Sequence, residues 1–151
     1  ILKTKIEDWD RVLNTNLRGA YFVSQTVARR MMPQKRGKII HIASLTSTMG
    51  LKYMGPYGAS KSGIAQITKS MANEWAPCIQ VNAIAPGYFE TDMTRAVYED
   101  PVRKKEIHGR IPYGRTGKVE DLYGGIIFFS SSASDYVTGQ ILYIDGGVTA
   151  S

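Results

Sequence analysis

Two apolar, β-branched runs that do not alternate with polar residues constrain this chain more than anything else in it. Lys38–Ser44 reads KIIHIAS and Ile79–Ala85 reads IQVNAIA. A strand with one solvated face alternates, whereas a strand of a parallel sheet covered on both faces does not. Between the two runs lies YGASKSGIAQITKSMANEW, Tyr57–Trp75, whose Ala, Ile and Met recur at three and four as on a helix. Strand, helix, strand predicts an α/β fold with a parallel sheet. The strands are expected at 38–43 and 79–85, and the helix at 57–75, stopped near Pro77.

The flanks extend the pattern. Thr4 with Glu7 fits a capping box, and Trp9, Val12, Leu13, Leu17, Ala20, Tyr21, Val27 and Met31 follow helical spacing, which predicts a helix over 5–32. Pro33 to Gly37 breaks it, and Pro86-Gly87 ends the second strand. Residues 88–117 carry Gly, Pro, charges and short helical pieces at 92–98 and 101–108, a composition suited to a mobile substrate-binding lid. A helix over 118–131, a turn at 133–139 and a strand over 140–144 close the chain. No internal repeat is visible. A chain of 151 residues buries one core, so 1–151 is expected to be a single domain.

The connection between the first strand and the long helix carries the chemistry. Tyr57 and Lys61 are four residues apart and share a helix face, so a phenol and an ammonium can point into one cavity. Ser44 lies thirteen residues before Tyr57 at a strand end. Pro56 suits the helix entry. In an open α/β sheet, ligands bind beyond the carboxyl ends of the strands, where both Ser44 and Tyr57 fall. A Tyr-x-x-x-Lys pair alone also describes a packed tyrosine and a solvated lysine; the strand and loop around it favour an acid/base site.

Charge and composition exclude other classes. The net charge is +6, but the densest cation groups, Arg29-Arg30, Lys35-Arg36 and Arg103-Lys104-Lys105, lack the interleaved aromatics of a nucleic-acid surface. His41 and His108 have no metal-ligand partners at suitable spacing, so no metal is expected; His41 reads as buried in its strand and His108 as a lid residue. No run of eighteen apolar residues and no signal-peptide pattern is present, so neither a membrane span nor secretion is expected. The single Cys78 fits a reducing cytoplasm.

Ser44, Tyr57 and Lys61, followed by NAIAPG at 82–87 and YIDGG at 143–147, resemble the short-chain dehydrogenase/reductase family along essentially the whole chain. ANEWA, APGYFETDMT and SSASDYVTGQ are most similar to its gluconate 5-dehydrogenase and deoxygluconate dehydrogenase branch, with oxoacyl-carrier-protein reductases as near relatives. The resemblance implies the C-terminal part of a Rossmann-like, doubly wound parallel sheet and an NAD- or NADP-dependent oxidoreductase interconverting a secondary alcohol and a ketone.

In that pattern Tyr57 is the general acid/base, Lys61 lowers the phenol pKa and bonds the nicotinamide ribose, and Ser44 holds the substrate oxygen, with Ser47 as a competing hydroxyl. Asn16, with Asn14 as its alternative, takes the fourth catalytic position, stabilising a helix distortion and a water leading to the lysine. Pro86, Gly87, Phe89 and Thr91 match the segment that contacts the nicotinamide carboxamide. Arg95, Arg110 and Arg115 in the lid are candidates for meeting a substrate carboxylate, because the guanidinium fork matches it. Asn82 is expected to brace its strand against the catalytic loop, and Asp145-Gly146-Gly147 to form a turn with an oligomer role rather than a metal site. At APCIQV the chain is one residue shorter than relatives, which predicts a tighter turn.

The family's glycine-rich phosphate turn, adenosine selector and NNAG segment precede the region matched here, and this sequence carries none of them. The chain therefore reads as roughly the last 60% of a domain of about 250 residues, either a piece of a longer protein or a true fragment. The first strand is then expected to lack a partner on one side, and helices 57–75 and 118–131 to pair with symmetry mates in a homodimer or homotetramer. A catalytically silent structural or interaction module is the alternative for the chain alone.

Overall fold

The computed structural model describes residues 1–92 and 94–150. Three strands, β1 (Gly37–Ile42), β2 (Ile79–Pro86) and β3 (Ile141–Ile144), form a parallel sheet in the order β1-β2-β3. Gly37 lies opposite Ile79 and Ala83 opposite Ile141. The non-alternating β2 is the central strand, and its residues from Val81 to Ala85 are buried.

Both faces of β2 are covered. Helices α1 (Ile6–Leu13), α2 (Gly19–Met31) and α3 (Gly55–Trp75) precede it. Ile79 and Val81 pack with Ala28, Met71 and Ala72, while Ala83 and Ala85 pack with Ala43 and Ile64, with Leu17 and Ala20 against them. On the opposite face α6 (Tyr123–Ser130) comes close through Gly125, where a Cβ would stand 2.9 Å from Ile144 Cδ1 and 3.5 Å from Ile84 Cγ2. Two-sided cover explains the sequence: there is no solvated face on which polar residues could alternate.

The helix expected over 5–32 is helical throughout but not uniform. A π turn, Asn14–Arg18, separates α1 from α2, with Gly19 N–H donating to Asn14 O five residues back. The capping box is not formed. Lys5 is the N-cap and offers no side-chain acceptor, while Thr4 N closes a turn onto Ile1 O at 2.9 Å. The helix expected over 118–131 starts as a 3₁₀ turn, Val119–Leu122, where Asp121 accepts from Lys118 N at 2.8 Å. In the shortened connection after α3, Cys78 N returns to Trp75 O at 3.0 Å.

Residues 88–117 contain α4 (Arg95–Tyr98) and α5 (Pro101–His108), the latter capped by Asp100, whose carboxylate accepts from Val102 N. The segment is tied across its own base. Gly117 N donates to Tyr88 O at 2.8 Å, Lys104 pairs with Glu90 at 3.0 Å, and Thr116 donates to the same carboxylate at 3.2 Å. These donors, led by Lys104, hold the Glu90 carboxyl below its ordinary pKa.

Asn82 is structural, but not toward the catalytic loop. Its amide donates to Val137 O at 2.8 Å and its carbonyl accepts from Gln140 N at 3.0 Å, so it fastens β2 to the turn that delivers β3. Asp145-Gly146-Gly147 is a turn, with both glycines in the left-handed region at φ 64° and 91°. The Asp145 carboxylate accepts from Gly147 N, Thr149 N and the Thr149 hydroxyl. Burial works to raise the Asp145 pKa, but these donors outweigh it and the net shift is downward. Among the described residues no helix is long and apolar enough to cross a membrane.

Candidate active site

Ser44 lies two residues beyond β1, and Tyr57 and Lys61 stand in the first two turns of α3, at the carboxyl end of the sheet. The loop from β1 to α3 is folded by its own hydroxyls. Ser44 caps the 3₁₀ turn Leu45–Ser47: its Oγ accepts from Thr46 N at 3.2 Å, while Ser44 N donates to Ser47 Oγ at 3.3 Å. Ser47 spends its own proton on Lys61 O at 2.9 Å. The competing hydroxyl is thus committed to backbone on both sides, whereas Ser44 is bonded only as an acceptor. Ser44 is 7% exposed.

The Lys61 ammonium donates to Ile42 O at 2.7 Å, and its Nζ stands 5.7 Å from the centroid of the Tyr57 ring. Burial lowers the Lys61 pKa, because a partly desolvated ammonium loses part of its hydration. One of its three donors is used, leaving two for a ligand. The position of Ile42 explains this contact. Ala43 N donates to Ile84 O, so the odd residues of β1 direct their backbone groups toward β2 and the even ones toward the open edge. Lys61 therefore holds an edge carbonyl with no strand beside it among the described residues.

Asn16 lies in the π turn, and its Nδ2 donates to Ser60 Oγ at 3.1 Å. Asn14 is exposed and forms no such contact. The resemblance gave Asn16 a helix distortion and a water leading to the lysine; in the protein it lies in the π turn, and its amide reaches the serine immediately before Lys61. Ser60, fully buried, in turn donates to Tyr57 O at 2.7 Å. Ser60 was not singled out from the sequence, where a helical serine beside a lysine carries no signal of its own.

The segment after β2 is packed for reasons of its own. A Cβ on Gly87 would stand 2.6 Å from Asp145 Cα, and Gly87 N donates to Ile144 O at 3.0 Å. Gly87→Ala is expected to push the ends of β2 and β3 apart and to cost about 1–3 kcal/mol; an unchanged urea midpoint would show that the strand ends yield freely. Phe89 bridges Gly117, whose Cβ would collide with its ring. The Thr91 hydroxyl is exposed and lies 3.1 Å from Thr94 Oγ1.

The three arginines are not equivalent. Arg95 pairs with Asp92, and Arg115 pairs with Asp121 through two bonds of 2.7 and 3.1 Å. The Arg115 bonds come first among the causes that hold the Asp121 carboxyl at about 2. Arg110 is exposed and has no ion-pair partner among the described residues. A cavity of about 360 Å³ lies beside the β1–α3 loop, against Thr46, Met49, Lys52, Gly58 and Ser62. A larger one of about 530 Å³ lies among Lys35, Lys38, Cys78 and Gln80, at the amino ends of β1 and β2, away from the end where α/β sheets bind ligands.

The family model described as enoyl-(acyl carrier protein) reductase matches residues 1–149. The chain belongs to the short-chain dehydrogenase/reductase family. It is 43% identical over 146 residues to gluconate 5-dehydrogenase of Gluconobacter oxydans, covering 96% of this chain and 57% of that protein. It is 50% identical over 143 residues to 2-dehydro-3-deoxy-D-gluconate 5-dehydrogenase of Dickeya dadantii, covering 93% and 56%. The crystal structure of a gluconate 5-dehydrogenase from Burkholderia cenocepacia in complex with NADP and tartrate superimposes with a TM-score of 0.96 at 41% identity, over 99% of this chain and 59% of that one. The chain thus spans just over half the length of the curated relatives it matches.

Proposed function

We propose that this chain is the catalytic part of an NAD- or NADP-dependent oxidoreductase that interconverts a secondary alcohol and a ketone on a sugar acid such as gluconate. The observation that carries the proposal is the Tyr57–Lys61 face of α3 at the carboxyl end of β1, with two lysine donors unspent. Those donors fit the ribose hydroxyls of a nicotinamide cofactor beside Tyr57, and Pro86, Gly87, Phe89 and Thr91 would line its carboxamide end. The cofactor supplies or accepts the hydride.

The protein's share of the chemistry is proton handling and placement. In reduction, Ser44 donates to the carbonyl oxygen and Tyr57 transfers its phenolic proton to that oxygen as negative charge builds there. Lys61 stabilises the resulting phenolate by its charge. Oxidation runs the same steps in reverse, with Tyr57 as base. Asn16 fixes the π turn against α3.

The acid end of the substrate rests on weaker ground in Arg95 and Arg115, each already neutralised by an aspartate, than in Arg110. Relatives named for gluconate chemistry and the neighbour holding tartrate support an acid substrate. A second reading is 3-oxoacyl-carrier-protein reduction; the matching family description shares its acyl-carrier-protein substrate class but names reduction of an enoyl rather than an oxo group. Loss of NADH or NADPH absorbance with 5-ketogluconate, and none with an oxoacyl thioester, selects the first. Oxidation of neither cofactor by any ketone would overturn both and leave the chain a structural module.

A single domain with 88–117 as lid, a cytoplasmic setting and a homodimer or homotetramer complete the proposal. The open edge of β1 and the exposed Tyr123, Ile127 and Phe128 on α6 both favour association. The purified 151-residue chain is therefore expected to run larger than its 16.7 kDa monomer or to precipitate. A monodisperse monomer by light scattering would contradict this.

A further inference from the structure

We propose that Ser60 is a positioning residue: its buried hydroxyl couples the π turn at Asn14–Arg18 to the first turn of α3 and so sets where the Tyr57 phenol stands. This rests on the functional reading above but names a residue that reading does not use.

The hydrogen-bond inventory fixes the direction of the coupling. A serine has one proton, and Ser60 gives it to Tyr57 O at 2.7 Å. Its lone pair is then open to the Asn16 amide, which donates at 3.1 Å. The carbonyl it touches is the one that an α-helix also offers to the amide of residue 61. The Ser60 hydroxyl therefore sits on the turn that spaces Tyr57 from Lys61, and a serine bonded back onto its helix adjusts the local bend. With Ser60 at 0% exposure, water cannot replace either partner.

A separate contact shows that the two segments are held close here. One turn further along α3, a Cβ on Gly63 would lie 2.7 Å from Leu17 Cδ2, so the Leu17 side chain packs into the space that glycine leaves on α3. Leu17 against Gly63 supplies the approach, and Asn16 against Ser60 supplies the register. Asn16 and Leu17, successive residues of the π turn, both meet α3.

The test is a double-mutant cycle in the complete holoenzyme, with hydrogen exchange alongside. Ser60→Ala removes one oxygen and is expected to lower kcat about tenfold, since small misplacements of reacting groups cost 10- to 100-fold, with KM within about twofold. Asn16→Ala should do the same, and the double variant should be no slower than the slower single. Ser60→Thr, which keeps the hydroxyl, should recover most of the rate. A Ser60→Ala enzyme with more than half the wild-type kcat, or single losses that multiply in the double variant, would overturn the proposal. If the wild-type holoenzyme turns over no ketone at all, the functional reading fails separately. The coupling is then read from backbone exchange over 14–18 alone: faster exchange in Ser60→Ala supports it, and unchanged exchange overturns it.

Discussion

Tyr57→Phe is expected to lower turnover of the complete holoenzyme by 100- to 10,000-fold, the range lost when a positioned proton donor is removed. The substitution deletes one oxygen from a side chain whose hydroxyl has no hydrogen-bond partner among the described residues, so the fold should barely register it, with a stability change within about 0.5 kcal/mol. Its ring stays in place against Lys61, and the Lys61 bond to Ile42 O does not involve the phenol. Cofactor affinity should therefore stay within about threefold, while kcat and kcat/KM fall together, as they do when an interaction made only in the transition state is lost. Retention of more than about a tenth of the wild-type rate would remove Tyr57 from the acid/base role. An equal loss from Ser44→Ala with Tyr57→Phe neutral would transfer that role to the serine.

The parts of this molecule that were legible in its sequence are those governed by local pattern. Two-sided burial writes itself into the unbroken run of β2; β1, half-buried over Gly37–Ile40 with Ile42 exposed, reads the same way without being covered to the same extent, and both strands were located to within a residue, with the apolar spacing of α3 equally plain. The positions of Ser44, Tyr57 and Lys61 at the carboxyl end of the sheet were readable because their spacing is fixed along one strand, loop and helix. What escaped depends on partners distant in sequence. The resemblance implied a distortion at Asn16, but the partner of its amide, Ser60, lies 44 residues away and was not legible. The partners of Asn82, at 137 and 140, were invisible for the same cause. The neutralisation of Arg95 was within reach, since Asp92 precedes it by three residues, a spacing at which side chains are neighbours on a helical turn; that of Arg115 by Asp121, six residues on, depends on the turn between them. Charge type alone had nominated them, without asking what stood beside them.

His41 carries the largest expected pH-dependent effect on stability. The sequence predicted burial, and the imidazole is 6% exposed, held between helices by two hydroxyls: Nε2 lies 2.8 Å from Ser24 Oγ on α2 and Nδ1 2.8 Å from Thr68 Oγ1 on α3. Thr68 donates its only proton to Ile64 O at 2.7 Å, so it must accept from His41, which puts the imidazole proton on Nδ1 and leaves Nε2 to accept from Ser24. Every group in this chain of bonds is satisfied with the ring neutral. Burial, with no acid in bonding contact to offset it, pushes the pKa from 6.5 down to about 4. In the unfolded chain the ring takes up its proton near pH 6.5, so between pH 6.5 and 4 the unfolded state binds more protons than the folded one, and stability falls as pH falls through that window. The full contribution is present above pH 6.5, and about 3 kcal/mol of it is lost by pH 4. Asp145 and Glu90, whose pKa values are lowered by folding, also lose stability in acid, but they do so equally in a variant at position 41. His41→Phe should therefore cost about 1–3 kcal/mol at pH 7 through the Ser24 hydroxyl it leaves unpaired, and should unfold in urea with a flatter acid dependence than the wild type. The two stability curves should converge as pH drops from 6.5 to 4; curves that stay parallel would place the acid sensitivity elsewhere and remove His41 as its source.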